Sequence, residues 1–225
     1  MITTSNLFSF QIRELTLPRI LFLFLDGVGL GTDDPDANPF ARANLPHLHN
    51  LLGGRRLVAN SASPAHISSR ATLLALDACL GVPGLPQSAT GQAALLTGVN
   101  VPAKIGYHYG PKPNPEVAAF LKNGNLFSQL RQQGLKAALL NAYPPGYFQG
   151  ITSGHRIFSA IPLAVTSAGL HLHNSQDLNA GNAISADLTG DGWHTQLRLP
   201  ETPRLTFTQA GQRLAEVAGP GRVAW

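Results

Sequence analysis

Charge is scarce in this sequence: 12% of its 225 residues are Asp, Glu, Lys or Arg, about half the ~25% usual in globular domains. It holds a single cysteine, Cys79, which excludes an internal disulfide framework and a multi-cysteine zinc site. No uninterrupted apolar run exceeds Ile20-Leu21-Phe22-Leu23-Phe24-Leu25, far short of the ~20 residues of a membrane span. Residues 1–17 show no basic region followed by an apolar stretch, so no secretory signal is read there. Internal repeats and low-complexity tracts are missing too. Basic residues are scattered, with Arg55-Arg56 the densest spot, and neither a basic stripe nor a nucleic-acid module appears. The net charge of +4 therefore implies a mild preference for anionic small molecules and nothing stronger. The expectation is a cytoplasmic protein with no nucleic-acid or membrane partner.

What remains reads as one α/β domain over residues 18–225, preceded by a leader of uncertain structure over residues 1–17. The length is ample for a sizeable core. Residues 20–25 form the kind of continuous apolar run expected of a parallel strand buried on both faces. Residues 45–52 read as a short helix with Asn44 as a plausible N-cap and Gly53-Gly54 at its end. Residues 70–80 fit helix or extended chain equally well. A Pro/Gly loop over residues 81–87 feeds a small-residue helix over residues 88–97, ended by Gly98. Further helices are expected over residues 116–122 and 125–133, then a second buried strand over residues 136–140. The order strand, helix, helix, strand implies a largely parallel sheet. Residues 143–205 read as an insertion or decoration, with a possible helix over 161–168 and mostly loop over 171–191. Residues 208–218 fit a helix capped by Thr206 or Thr208, and Arg222-Val223-Ala224-Trp225 reads as the start of another strand.

Two residues stand out for chemistry. Asp26 ends the first expected strand, where ligands bind in open α/β sheets, and Gly27 and Gly29 beside it allow close approach. A carboxylate there suits a hard or borderline metal ion; equally, an Asp in that position caps its own turn. The neighbouring Gly27-Val28-Gly29-Leu30-Gly31 resembles a dinucleotide-binding loop. Its third glycine comes one place early, however, and Asp33-Asp34-Pro35 follows instead of a helix. Ser88 opens a helix whose free first-turn N–H groups and dipole favour an anion, whether a seryl alkoxide or a bound phosphate. The plainer alternative is an N-cap serine. Its surroundings are not the G-x-S-x-G elbow of α/β hydrolases.

Together, Leu25-Asp26-Gly27-Val28-Gly29 and Leu85-Pro86-Gln87-Ser88-Ala89-Thr90-Gly91-Gln92 resemble the alkaline phosphatase superfamily. The branch most similar holds cofactor-independent phosphoglycerate mutase and phosphopentomutase. That resemblance implies a doubly wound, largely parallel sheet with helices on both faces, of which this chain would carry the N-terminal part. It implies Asp26 as a metal ligand, and Ser88 as both metal ligand and carrier of the phosphoryl group. Two divalent ions (Zn, Mn or Mg) and a small phosphorylated substrate follow from it. Coordination beside a helix N-terminus would lower the pKa of the seryl hydroxyl and so make a poor nucleophile effective.

The departures are equally specific. Gln92 stands where the mutases carry His, and the sequence has no Asp-His dipeptide and no Asp-x-x-x-His, the patterns that supply the family's later ligands. A C-terminally truncated member is therefore expected, with the apolar face of the 208–218 helix, including Leu214 and Val217, only partly covered and an exposed apolar patch next to the Ser88 crevice. His108 is a candidate for lining the substrate pocket. His171 and His173 flank Leu172 at a spacing able to bind metal on a strand but read as loop or surface histidines. With His194, they are not expected to replace the missing ligands. His47 and His49 read as helix surface. The principal functional expectation is a metal-dependent phosphatase or phosphomutase-like enzyme. The alternatives are a catalytically silent anion-binding chain and, more distantly, a metal-free serine hydrolase.

Overall fold

The computed structural model of the chain describes residues 19–63 and 65–219. Its elements are helices α1 (Pro39–Arg42) and α2 (Pro46–Leu51), strands β1 (His66–Ile67) and β2 (Thr72–Leu73), then helices α3 (Ser88–Thr97), α4 (Val101–Ile105), α5 (Pro115–Asn123), α6 (Leu126–Gln132), α7 (Pro145–Thr152), α8 (Ala160–Ser167), α9 (Ser175–Asn179), α10 (Asp191–Thr195) and α11 (Phe207–Val217). Helix accounts for 40% of the structure and strand for 4%. The expected doubly wound parallel sheet is therefore overturned: the sheet present is the antiparallel pair β1–β2, with His66 opposite Leu73.

The physical reason lies in strand partners. Residues 20–25 are apolar enough for a buried strand but are not strand here, and most are exposed, with Ile20 at 86% and Phe22 at 59%. Residues 140–143, just after the second expected strand, do meet neighbours in parallel fashion, through the isolated bridges Asn141–Ile184 and Ala142–His173. Ala142 N–H donates to the Ile184 carbonyl at 2.9 Å, Ile184 N–H to Leu140 at 2.8 Å, and Tyr143 N–H to His173 at 2.8 Å. Both edges of this short segment are thus occupied by residues from the 171–184 region. Hydrophobicity drives a strand into a core, but a backbone edge can be shared only once.

Local sequence rules set the helices well. Helix α3 ends at Gly98, in the left-handed region at φ 70°, a conformation that glycine adopts without a Cβ penalty. Asn114, Asn125, Asn174 and Thr206 each cap the helix that follows them through a side-chain acceptor. In α2 the N-cap is Leu45, not Asn44, because Pro46 occupies the first helical position and needs no N–H partner. Helices α4, α7, α9 and α10 lie in stretches where composition indicated mostly loop or little at all.

The main core gathers Ala89, Ala93 and Leu96 of α3, Val101 of α4, Val117 and Leu121 of α5, and Ala160 and Ala164 of α8. Small residues on α3 and α8 let the helices approach closely, and Val117 and Leu121, one turn apart, fill the space between them. A second cluster packs Tyr147, Val165 and Leu172 with Tyr143, Phe148 and Phe158. The third gathers Ala142, Leu178, Ala183 and Trp193 beside the parallel bridges. Helix α11 covers Val217, which is 4% exposed, and half-buries Leu214. Val217 is thus covered, against expectation, while Leu214 is partly covered as expected, and Phe207 at the start of the same helix is 79% exposed. The leader over residues 1–17 and the strand expected at residues 222–225 lie outside the described residues. Among the described residues, no helix is long and apolar enough to cross a membrane.

Asn125 is the polar residue on which this core depends most. It is 1% exposed; its amide donates to the carbonyls of Leu121 at 2.8 Å and Ala164 at 3.1 Å, while its oxygen accepts the Ser128 N–H at 3.1 Å. It thereby ties α5, α6 and α8 together. Asn125→Ala should cost about 2–4 kcal/mol, a lost cap plus the Leu121 carbonyl stripped of its buried donor, the Ala164 carbonyl keeping the Ala168 N–H. Asn125→Asp, which keeps the cap but loses both donors, should also be clearly destabilised. Urea unfolding followed by circular dichroism measures both; an Asp variant as stable as the wild type would remove the interhelix role.

Candidate active site

Helix α3 organises the candidate site. Its buried face carries Ala89, Thr90, Ala93 and Leu96, and Ser88 and Gln92, one turn apart and half-buried, share one flank of that face. Gln87, extended and without a side-chain cap bond, is the N-cap residue, and Ser88 is the first helical residue. The N-cap alternative for Ser88 is thereby removed. Its hydroxyl instead donates to Asp26 Oδ2 at 3.0 Å, across 62 positions of sequence. Gln92 Nε2 donates to the same oxygen at 3.4 Å. Asp26 and Ser88 therefore meet, as the sequence expectation has it, but not at the carboxyl edge of a parallel sheet. Asp26 sits in a turn with Gly27 at φ 74° and is exposed.

Surrounding loops narrow what the helix start can offer. Thr90, completely buried, donates its N–H to the Tyr109 carbonyl at 3.1 Å, and its Oγ1 accepts the Tyr109 N–H at 3.2 Å. One of the first-turn donors expected to be free for an anion is therefore already committed. The Tyr109–Gly110 loop is stitched to α3 by this exchange. A Cβ on Gly110 would lie 3.1 Å from the Ser88 nitrogen, so only glycine lets the loop pass this close. By contrast, a Cβ on Gly91 would meet open space, leaving access over that part of the helix.

An open cavity of about 440 Å³ adjoins the helix start and is lined by residues including Leu85, Gln87, Tyr107, His108 and Tyr109. His108 thus lines a pocket next to Ser88. Its Nε2 lies 3.1 Å from the Val82 carbonyl, an acceptor, so that nitrogen donates. Tyr107 donates its hydroxyl to Glu116 at 2.8 Å, and this bond is the main reason its pKa is raised.

The donor set can be compared with the two-ion centre that the resemblance implies. Among the described residues, the metal-capable group of three or more His, Cys, Asp or Glu is His171, His173 and Asp177, and Asp26 is not part of it. Asp26 and Ser88 supply three side-chain oxygens between them, too few for two ions. They do fit one hard cation of the Mg²⁺ or Mn²⁺ kind, which binds through one or two carboxylates and completes its shell with water and substrate phosphate.

His47 and His171 are exposed, as expected, whereas His49 and His173 are not. His194 Nε2 lies 2.7 Å from the Thr202 carbonyl. His49 is half-buried, with its Nε2 shielded and unpartnered, whereas His47 is exposed. His173 is 5% exposed, and its Nδ1 lies 3.4 Å from Asp177 Oδ2 without forming a hydrogen bond. Its burial was not legible from the polar neighbours of the His-x-His pair; the apolar Leu172 between them was the available hint.

Burial pushes His173 below its ordinary value of 6.5, with Asp177 offsetting part of that fall. The unfolded chain therefore takes up this proton first as pH drops. The corresponding stability is complete above 6.5 and declines through the more acidic range. Urea midpoints measured in chelator from about pH 7.5 to about pH 5 should fall for the wild type and fall less for His173→Gln. Equal slopes would remove His173 as the source.

No protein-family model, no curated protein and no solved structure matches this chain.

Proposed function

We propose that the chain is a metal-dependent phosphoryl-transfer enzyme in which Ser88 is the nucleophile towards a small phosphate monoester. The observation that carries this reading is the hydrogen bond from Ser88 Oγ to Asp26 Oδ2 at the start of a ten-residue helix. A serine hydroxyl is a weak nucleophile until a neighbouring group takes or weakens its proton. Here the proton already faces a carboxylate, and Gln92 holds that carboxylate from the next turn of the same helix. The helix dipole favours negative charge developing on the seryl oxygen by about 0.3–1 kcal/mol. A divalent cation bound by Asp26 and Ser88 would add charge neutralisation for the phosphate and further acidify the hydroxyl. The neighbouring cavity gives the organic part of the ester a place against Tyr107, His108 and Tyr109.

In the transfer, a bond forms between Ser88 Oγ and phosphorus as the bond to the leaving oxygen breaks. Asp26 accepts the seryl proton and passes it to the departing oxygen, which leaves as the alcohol; water then attacks phosphorus, the Oγ–P bond breaks, and Ser88 regains its proton as inorganic phosphate departs. A metal-free serine hydrolase would require an imidazole at the serine; the Ser88 hydroxyl instead donates to a carboxylate. A silent anion-binding chain is the second reading, favoured by the sparse donor set around Asp26.

The test is hydrolysis of p-nitrophenyl phosphate by the full chain with Mg²⁺, Mn²⁺ or Zn²⁺. Ser88→Ala and Asp26→Asn should each reduce turnover at least about a hundredfold, while both variants stay folded. Gln92→Ala should cost less, because it removes only support for Asp26. Undiminished turnover in Ser88→Ala would overturn the nucleophile assignment. An inactive wild type that is nevertheless stabilised against heat by inorganic phosphate would favour the silent reading.

A further inference from the structure

We propose that His171, His173 and Asp177 form a zinc site distinct from Asp26 and Ser88. One potential ligand atom from each residue lies within 4.8 Å of the other two. Within this group, His173 Nδ1 is shielded from solvent and has no hydrogen-bond partner, on a side chain that is 6% exposed. A buried polar atom without a partner is rare in folded proteins and calls for one. A cation between His173 and Asp177 supplies it.

The spacing suits zinc. His173 Nδ1 and Asp177 Oδ2 are 3.4 Å apart. Bonds of about 2.0–2.1 Å at a tetrahedral angle place neighbouring ligands about 3.4 Å apart. His171 and His173 alternate about Leu172 in an extended segment, an arrangement that places them on one side of the chain. Their rings meet edge to face at 5.2 Å between centroids. Two imidazoles and one carboxylate form a borderline donor set, preferred by zinc over magnesium or calcium.

Two of the three ligands are held by the backbone around them. The His173 carbonyl accepts the Tyr143 N–H at 2.8 Å, within the parallel bridge to Ala142. Asp177 Oδ2 accepts the Asn174 N–H at 2.9 Å, and Asn174 Oδ1 accepts the Asp177 N–H at 3.2 Å. Such supporting bonds orient metal ligands before the ion arrives. His171, exposed at the outer side, leaves an entry path and room for water as the fourth ligand. The expectation that His171 and His173 serve as ordinary loop or surface histidines does not account for the buried Nδ1.

The experiment uses the full chain without a histidine tag, stripped by chelator and titrated with Zn²⁺ by calorimetry. Co²⁺ absorption then reports the coordination geometry. One Zn²⁺ per chain is expected, with a dissociation constant on the order of micromolar or tighter, and a four-coordinate cobalt spectrum. His171→Ala, at an exposed position, and Asp177→Asn, which retains an oxygen acceptor for the helix cap, should each weaken binding at least tenfold. Asp26→Asn and Ser88→Ala should leave it unchanged, which separates this site from the proposed catalytic pair. Undetectable zinc binding by the folded wild type would overturn the proposal, as would wild-type affinity in both His171→Ala and Asp177→Asn. Loss of the zinc in Asp26→Asn would overturn it too, by placing the ion at the other site.

Discussion

The close packing of α3 against α5 and α8 is the constraint on which the rest of the arrangement depends. Ala89 and Ala93 are completely buried against a core containing Val117, Leu121, Ala160 and Ala164, themselves completely buried. Alanine at such contacts lets helix backbones approach, and any larger side chain would force them apart. That rotation of α3 is not adjustable. Once Ala89, Ala93 and Leu96 face inward, Ser88 and Gln92, one turn apart, share one flank of that face, where Asp26 meets both. The chemistry proposed for Ser88 is thus a consequence of which residues on α3 are small.

The same helix shows how supporting contacts consume potential function. Four N–H groups at a helix start lack intrahelical partners and can serve a bound anion. Thr90 gives its N–H to Tyr109, and the Gly110 backbone passes close to the Ser88 nitrogen. This fixes the loop that carries His108 and the cavity wall, but it lessens what the amides can offer a phosphate. The Asp26 carboxylate, an anion without a donor, repels a phosphate rather than holding it. A cation that neutralises the phosphate is therefore more necessary here than at a helix start with every amide free.

Local chemistry was legible in the sequence; long-range partnership was not. Gly98 and Gly134 mark helix ends because the left-handed region suits glycine, and Thr206 caps α11 because its hydroxyl reaches the Gln209 N–H. Such interactions span a few residues and can be read directly from the chain. The apolar run over residues 20–25 shows the limit. Its composition fits a buried strand, yet strand formation depends on an available backbone edge, and residues 140–143 have given theirs to His173 and Ile184. Helix α7 lies in residues 143–205, which read only as insertion or decoration, yet Pro145 is well suited to its first helical position.

The two candidate sites divide by the same distinction. Ser88 was legible because a serine opening a helix after a proline-stiffened loop is a local pattern. Its meeting with Asp26 came from a motif resemblance, since no local rule links residues 62 positions apart. His173 was misjudged because its burial arises from backbone pairing with Tyr143 and from the apolar clusters on either side, neither of which its own segment declares. The donors differ accordingly. Asp26 and Ser88 offer exposed oxygens, suited to a labile hard cation that shares its shell with substrate and water. His171, His173 and Asp177 offer imidazole nitrogens beside one carboxylate, partly withdrawn from water, where a borderline cation is held more firmly. The two proposed sites thus differ in donor chemistry and burial, oxygen donors at an exposed place against imidazoles at a partly buried one.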